Sequence, residues 1–200
     1  MNNRRKNRLG TTTVISLILF FIATQIQPAT AVTGKWSRYP VGNSGFSGEF
    51  PTEPQLETKT VPGVPGKLYL CASRDEEMNM YGAMFMEDVG VNLDRFSEAQ
   101  LDDFYKTTAA GFKKGLLQAL SNVESTLEVT ETGQKRVVFA GLPGREIDYT
   151  VGPAASVVRM TISGRFMLMA FATAALKIPD ENLEKYFSLF KFSKVPEKAR

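Results

Sequence analysis

The stretch that decides the fold of this chain is KLYLCASRDEEMNMYGAMFME, residues 67–87. Two apolar runs, 67–73 and 80–87, flank a charged segment at 74–77, a pattern typical of an antiparallel hairpin. Successive side chains of a strand point to opposite sides, and in the second run both sides are apolar. They are Tyr81, Ala83 and Phe85 on one side and Met84 and Met86 on the other. We therefore expect this strand to lie in a sheet that is covered on both faces.

Two amphipathic helices are predicted to cover the sheet. The first begins at Ser97, which forms a capping-box pattern with Gln100. Its apolar stripe recurs at helical spacing and consists of Leu101, Phe104, Tyr105, Thr108, Phe112, Leu116 and Leu120. The second helix begins at Pro179, a favourable first helical position, and its stripe is Leu183, Tyr186, Phe187 and Phe190.

Further short strands are predicted on both sides of the first helix. Residues 46–50 form one, and the proline-rich segment 51–66 is either a loop or an extended piece along a sheet edge. After the helix, 126–130 and 137–140 are predicted strands, with a turn at Gly133 between them.

The candidate site lies on a hairpin predicted between strands 145–151 and 156–162, with 152–155 as a four-residue loop. In that register Asp148 is opposite Arg159. The candidate anion or ligand patch consists of Arg145, Glu146, Asp148 and Arg159. The structural alternative is a cross-strand ion pair, which on an exposed face contributes ~0.2–1 kcal/mol.

Together these elements predict an α+β domain, an antiparallel sheet of about six or seven strands covered by two helices as an α/β/α sandwich. Three motifs are found between Trp36 and Phe192: Gly45-Phe46…Phe50-Pro51, Phe85-Met86-Glu87-Asp88 and Tyr186-Phe187-Ser188-Leu189-Phe190-Lys191-Phe192. Over this span, and on these motifs, the chain resembles small exported domains with a PsbP-like sandwich. The resemblance implies a fold that photosynthetic accessory subunits also have. It transfers no functional residue, because histidines that bind metal in some relatives have no counterpart here.

The first 31 residues have the pattern of a cleaved secretory signal peptide. Basic residues between Arg4 and Arg8 precede an apolar run, and Ala29-Thr30-Ala31 is a small-x-small cleavage pattern. Residues 14–24 are fewer than the roughly 20 that a helix needs to span a bilayer. The alternative is an uncleaved anchor whose apolar segment extends back to Leu9.

Cleavage would reverse the sign of the net charge. The leader holds four of the 24 basic residues and none of the 21 acidic ones, which leaves 20 basic and 21 acidic residues and a net charge of −1. No basic cluster that could follow a phosphate backbone remains. We therefore expect no nucleic-acid partner and no stable membrane span after cleavage, with residues 32–193 as a single α+β domain and 194–200 as a charged flexible tail.

The composition restricts the chemistry that the chain can perform. It contains no histidine and one cysteine, Cys71. These counts exclude Ser-His-Asp and Cys-His nucleophiles, histidine metal sites, and zinc or iron–sulfur frameworks. The acidic groups at 75–77 and 87–88 lack the spacing of a calcium loop and are typical of solvated turns. We predict no catalytic residue, no cofactor and no metal.

The sequence thus favours an exported soluble domain, periplasmic or extracellular, that acts as a non-catalytic binding or accessory protein of the cell envelope. Its partner would be a protein or a small ligand. One alternative is an enzyme that uses carboxylates or an oxygen-ligated metal, which requires acidic residues to converge in one cleft. The other is a carrier of lipid or a small hydrophobic ligand, which requires a cavity between sheet and helix.

Overall fold

Strands make up about half of the chain that the computed structural model describes, residues 36–61, 63–121, 128–174 and 180–192. The strands are β1 (Ser37–Pro40), β2 (Phe46–Phe50), β3 (Gln55–Thr60), β4 (Lys67–Arg74), β5 (Met80–Met86), β6 (Val129–Phe139), β7 (Leu142–Val151), β8 (Ala154–Ser163), β9 (Phe166–Ala174) and β10 (Lys191–Phe192). The helices are α1 (Glu98–Ser121) and α2 (Asp180–Ser188), and a 3-10 turn at Leu93–Arg95 precedes α1.

Seven of the strands form one antiparallel sheet in the order β3-β4-β5-β9-β8-β7-β6. A smaller sheet has the order β1-β2-β10. The predicted hairpin of residues 67–87 is confirmed, because β4 and β5 pair in the register Leu70↔Met84. The predicted α+β class and strand number are confirmed as well.

Both faces of the large sheet are buried, as the pattern of β5 predicted. On one face, Met84 and Met86 pack in a core that includes Phe104 and Phe112 of α1. On the other face, a second core contains Tyr81, Ala83 and Phe85 of β5, Phe46 and Phe50 of the small sheet, and Tyr186, Phe187 and Phe190 at the C-terminal end. The small sheet and α2 thus cover the face opposite α1.

Helix α1 begins where the capping box was predicted. The backbone N–H of Ser97 donates to Gln100 Oε1 at 2.9 Å, and the Gln100 N–H lies 3.4 Å from Ser97 Oγ. Phe104, Tyr105 and Phe112 of the predicted stripe are buried against the sheet. Tyr186, Phe187 and Phe190 of the second predicted stripe are buried, and Leu183 is partly buried. The predicted start of this helix at Pro179 lies outside the described residues.

Three details of the predicted strands were wrong. Gly133 is not in a turn, because β6 continues from Val129 to Phe139 with a bulge between Glu131 and Gly133. The loop between β7 and β8 has two residues, 152–153, rather than four, since Val151 pairs with Ala154. Arg159 therefore lies opposite Glu146, and Asp148 lies opposite Val157.

Segment 51–66 contains the edge strand β3, which confirms the extended alternative for this segment. The predicted leader, 1–31, and tail, 194–200, lie outside the described residues. Among the helices that are described, none is long and apolar enough to cross a membrane.

Candidate functional site

The sheet separates the four residues of the predicted patch. In β7, even-numbered side chains point toward α2 and odd-numbered ones toward α1. Glu146 and Asp148 therefore lie on the same face as Arg159 of β8, their neighbour in the sheet. Arg145 lies on the opposite face, beside Asp102 of α1. The hairpin thus contributes to two separate polar groups.

The group on the α2 face is a network of ion pairs around two buried side chains, Arg159 and Glu146. Arg159 Nε donates to Glu146 Oε2 at 2.5 Å, and Lys135 Nζ lies 2.7 Å from Glu146 Oε1. Arg159 also binds Glu184 of α2 with both terminal nitrogens, one of them at 3.1 Å. The guanidinium carbon lies 4.5 Å from the centre of the Phe187 ring. These contacts attach α2 to the centre of the sheet.

The network keeps its cations charged. Burial disfavours the charge on Arg159, but hydrogen bonds to Glu184 and Glu146 outweigh it and raise the pKa of the guanidinium. The hydrogen bond to Glu146 likewise raises the pKa of Lys135. Because Arg159 is only 7% exposed and donates to two carboxylates, the geometry is that of a structural ion-pair cluster.

A cavity of about 500 Å³ lies beside this network, between the β6–β7 turn and the C-terminal segment. Its lining includes Val138, Arg159, Phe187, Phe190 and Lys191. The guanidinium of Arg159 lines this cavity, but Glu184 already binds that guanidinium. An anion that entered would have to compete with that carboxylate.

The group on the α1 face contains two arginines from adjacent strands. Arg136 of β6 and Arg145 of β7 are register partners, and both reach toward the first turns of α1. Arg145 is hydrogen-bonded to Asp102, and its guanidinium carbon lies 4.9 Å from the centre of the Tyr105 ring. Arg136 is 3.8 Å from Asp102 and 3.9 Å from Glu98, too far for hydrogen bonds.

Charge and burial set the protonation states of this group. The hydrogen bond from Arg145 lowers the pKa of the Asp102 carboxyl, which therefore stays ionised at neutral pH. Burial raises the pKa of Tyr105 to about 12, so its hydroxyl stays neutral. The pair of arginines thus has one hydrogen-bonded carboxylate among the described residues.

A cleft of about 450 Å³ opens beside Arg145, between the start of α1 and the ends of β7 and β8. Its walls are largely apolar and are formed by Leu93, Phe96, Leu101, Tyr105, Leu142 and Ile162. Its polar lining includes both arginines and the carboxylates of Asp94 and Glu98. An apolar cleft with a few converging polar groups is the usual form of a small-molecule site.

The acidic residues weighed for catalysis do not converge. Glu146 of β7 and Ala83 of β5 lie in the same row across the sheet, with β8 and β9 between their strands. They are therefore three strand spacings apart, about 14 Å. Glu87 lies four residues beyond Ala83 and accepts a hydrogen bond from Tyr69 at 2.6 Å. Asp88 forms an ion pair with Arg165 at 2.8 Å. Within the described ranges, no group of three or more acidic or cysteine side chains is arranged to hold a metal ion.

Cys71 lies in the second core, 2% exposed, with its sulfur 3.7 Å from the Ala83 carbonyl oxygen. Burial raises the pKa of its thiol to about 12. This thiol packs as a small apolar side chain.

Arg136 and Tyr105 line the cleft, and Asp102 binds Arg145 beside it, but none of the three was among the predicted site residues. Strand alternation already separates Arg145 from Glu146 and Asp148, so the sequence held a signal that the patch has two sides. No local sequence pattern predicts that α1 contacts the β6–β7 hairpin, because Asp102 and Arg145, which form this contact, are 43 positions apart.

These observations define the class of the protein: a sandwich of an antiparallel seven-stranded sheet between one long helix and a layer of short helix and small sheet. A solved structure with this architecture is the solution structure of cyanobacterial PsbP (CyanoP) from Synechocystis sp. PCC 6803. The two chains are 12% identical and superimpose with a TM-score of 0.50 over 84% of this chain and 98% of that one. The fold is therefore PsbP-like, which confirms the resemblance at the level of shape.

At the level of sequence, neither the scan against protein-family models nor the search of curated proteins finds a match. At 12% identity the structural likeness establishes the fold alone. The function has to be argued from this chain's own cleft.

Proposed function

We propose that this chain is a non-catalytic binding or accessory domain that works outside the cytoplasm, in the cell envelope. The observation that carries the proposal is the cleft between the start of α1 and the β7–β8 end of the sheet. It combines apolar walls with two arginines, and its 450 Å³ lies in the usual range of about 300–1,000 Å³ for ligand pockets.

Two further features support binding over catalysis. The carboxylates at 87–88 and at Glu146 are separated by several strands, and each has a structural partner of its own. Tyr105, the titratable neutral group in the cleft wall, keeps its proton at physiological pH. General acid–base work needs a group whose pKa lies near the working pH.

The export part of the proposal rests on the leader pattern of residues 1–31. The absence of histidine and the burial of the single cysteine are compatible with an oxidising compartment, where an exposed thiol would be reactive.

The cleft also favours one particular kind of partner. A cavity between helix and sheet is what a carrier of a small hydrophobic ligand requires, and this cleft lies between α1 and the sheet. A small ligand with an apolar part is therefore the form of binding that we develop below.

One experiment in two steps tests the export part and the binding part of this proposal. The full chain with a C-terminal tag is expressed and fractionated, and mass spectrometry determines its N-terminus. We expect a mature chain that starts at Val32 and is recovered outside the cytoplasm. An intact leader on a cytoplasmic protein would contradict the export proposal.

The exported product is then screened by thermal shift against small ligands and by quantitative affinity capture against envelope extract. Ile162→Trp enlarges a side chain that lies on the cleft wall and on the α1 face of β8, and Ser188→Trp, which lines the cavity on the other face, is the matched control. We expect a ligand or partner that Ile162→Trp loses and Ser188→Trp retains. If every ligand and partner is retained by both variants, the cleft is not the binding site.

A further inference from the structure

We propose that the cleft beside Arg145 binds a small apolar molecule that ends in a carboxylate. This inference rests on the proposed function, because it names the ligand class of the same site. The carboxylate would lie between the guanidinium groups of Arg136 and Arg145, and the apolar part would lie along the walls of α1 and β7.

The arrangement of the two arginines points to an anionic group. They are register partners across β6 and β7, and like charges directly opposite each other destabilise a sheet. Among the described residues, Asp102 is the one carboxylate at hydrogen-bond distance from this pair, and it binds Arg145. Arg136 is 66% exposed and has its acidic neighbours at 3.8 and 3.9 Å. A ligand carboxylate would give Arg136 the close hydrogen bonds that Asp102 and Glu98 do not give it.

Arg145 is held ready for such a ligand. Its side chain is 13% exposed, it is stacked on the Tyr105 ring, and Asp102 fixes one terminal nitrogen. Its other terminal nitrogen donates to the carbonyl of Gly144 at 3.1 Å. Because these contacts hold the guanidinium in place, little side-chain freedom would be lost on binding.

The surrounding charges favour a single negative charge over a double one. The rim also carries the carboxylates of Asp94, Glu98 and Asp102. The Asp94 carboxylate accepts a hydrogen bond from the backbone N–H of Gly164 at 2.8 Å, and it does not neutralise either arginine. A phosphate dianion would meet repulsion from these acids, so a carboxylate fits the balance of charges better.

The apolar walls of the cleft determine the chemistry and size of the rest of the ligand. Leu93, Leu101 and Ile162 present aliphatic surface, and Phe96 and Tyr105 present aromatic surface. Burial of apolar ligand surface against such walls stabilises a complex in proportion to the area removed from water. The volume of about 450 Å³ limits the ligand to a short chain or one or two rings.

The test uses the exported chain and three probes with the same tail: octanoate, octan-1-ol and octyl phosphate. Isothermal titration calorimetry measures their dissociation constants. We expect octanoate to bind at least about tenfold more tightly than octanol, since charge-assisted hydrogen bonds are the stronger kind. We expect octyl phosphate to bind more weakly than octanoate.

The variants locate the carboxylate. Arg136→Gln and Arg145→Gln should each weaken octanoate binding about tenfold and leave octanol binding unchanged. Arg136 is exposed, so its variant is informative even if Arg145→Gln fails to fold. Arg38 is an ion-paired arginine on the small sheet, far from the cleft in the fold, and its variant Arg38→Gln is the control that should bind octanoate like the parent chain.

Octanol binding as tight as octanoate binding would overturn the inference and leave the proposed binding function standing. Tighter binding of octyl phosphate would overturn the choice of a carboxylate. Failure of octanoate to bind would also overturn the inference, while the capture experiment with Ile162→Trp decides the proposed function independently.

Discussion

Arg136 and Arg145 face each other as register partners across β6 and β7, and both reach the carboxylate of Asp102 on α1. This relationship joins the long helix to the edge of the sheet. It also places two positive charges at the mouth of an apolar cleft. On the other face of the same hairpin, Arg159 is enclosed by Glu146 and Glu184. One face of the hairpin thus carries the arginine pair at the mouth of the cleft, and the other face carries Arg159 in a structural ion-pair cluster.

Asp102→Asn is expected to lower the melting temperature at pH 7, because it removes the ionised partner of Arg145. Arg145 lowers the pKa of Asp102 in the folded chain, so the carboxylate stabilises the fold above its unfolded pKa of about 4. That contribution is lost as the pH falls through the lowered folded-state pKa. The difference between parent and variant should therefore shrink below about pH 4, measured by circular dichroism melts. A difference that stays constant down to pH 3 would contradict this role, and the exposed neighbour Asp103 provides the control Asp103→Asn.

Glu146→Ala is expected to destabilise the chain by about 3–5 kcal/mol, because it leaves Arg159 buried without its Nε partner. Glu184 is 62% exposed, so Glu184→Ala should cost no more than about 1 kcal/mol. Urea denaturation measures both free energies of unfolding. Equal costs for the two variants would show that the buried and the exposed carboxylate contribute alike, contrary to this assignment.

Ala140→Asn is expected to stabilise the β6–β7 turn. Ala140 has φ of 52° and Gly141 has φ of 81°, the two left-handed residues of a type I′ turn. Asn tolerates this conformation better than Ala, and we expect a gain of about 0.5–1 kcal/mol. Gly141→Ala, which adds a Cβ at the second left-handed position, should destabilise instead. Thermal melts that rank the two variants in the opposite order would disprove the turn assignment.

Cys71 is expected to resist thiol reagents in the native chain. It is 2% exposed, and burial raises its pKa to about 12, so the reactive thiolate is scarce. Ellman's reagent should label the chain fully in urea and very slowly in buffer. Rapid labelling of the folded chain would show that the thiol is accessible and that the second core opens at β4.

The sheet and its coverage were predictable because alternation in β4 and β5 is unambiguous. Tyr81, Ala83 and Phe85 face one core and Met84 and Met86 the other, and a shift by one residue would exchange them. The β7–β8 register was harder, since a shift by two residues keeps every side chain on its face. The prediction of Asp148 opposite Arg159 was wrong by such a shift, and the true partner is Glu146.

The candidate site was predictable only in part. Glu146 and Arg159 do contact each other, but as a buried structural network. The cleft depends on where the start of α1 docks, and that position follows from packing of the whole core on the sheet. In the sequence of α1, Asp102 falls outside the apolar stripe, as an ordinary solvent-facing residue would. Only its contact with Arg145 shows that it positions that side chain.

The most direct test of the account is an NMR titration of the ¹⁵N-labelled exported chain with octanoate. The account predicts that amide shifts concentrate at Leu101, Arg136, Gly144 and Arg145 around the cleft, while the amides of Arg159 and Phe187 stay in place. Shifts centred on Arg159 and Phe187, or no shifts at either cavity, would contradict it.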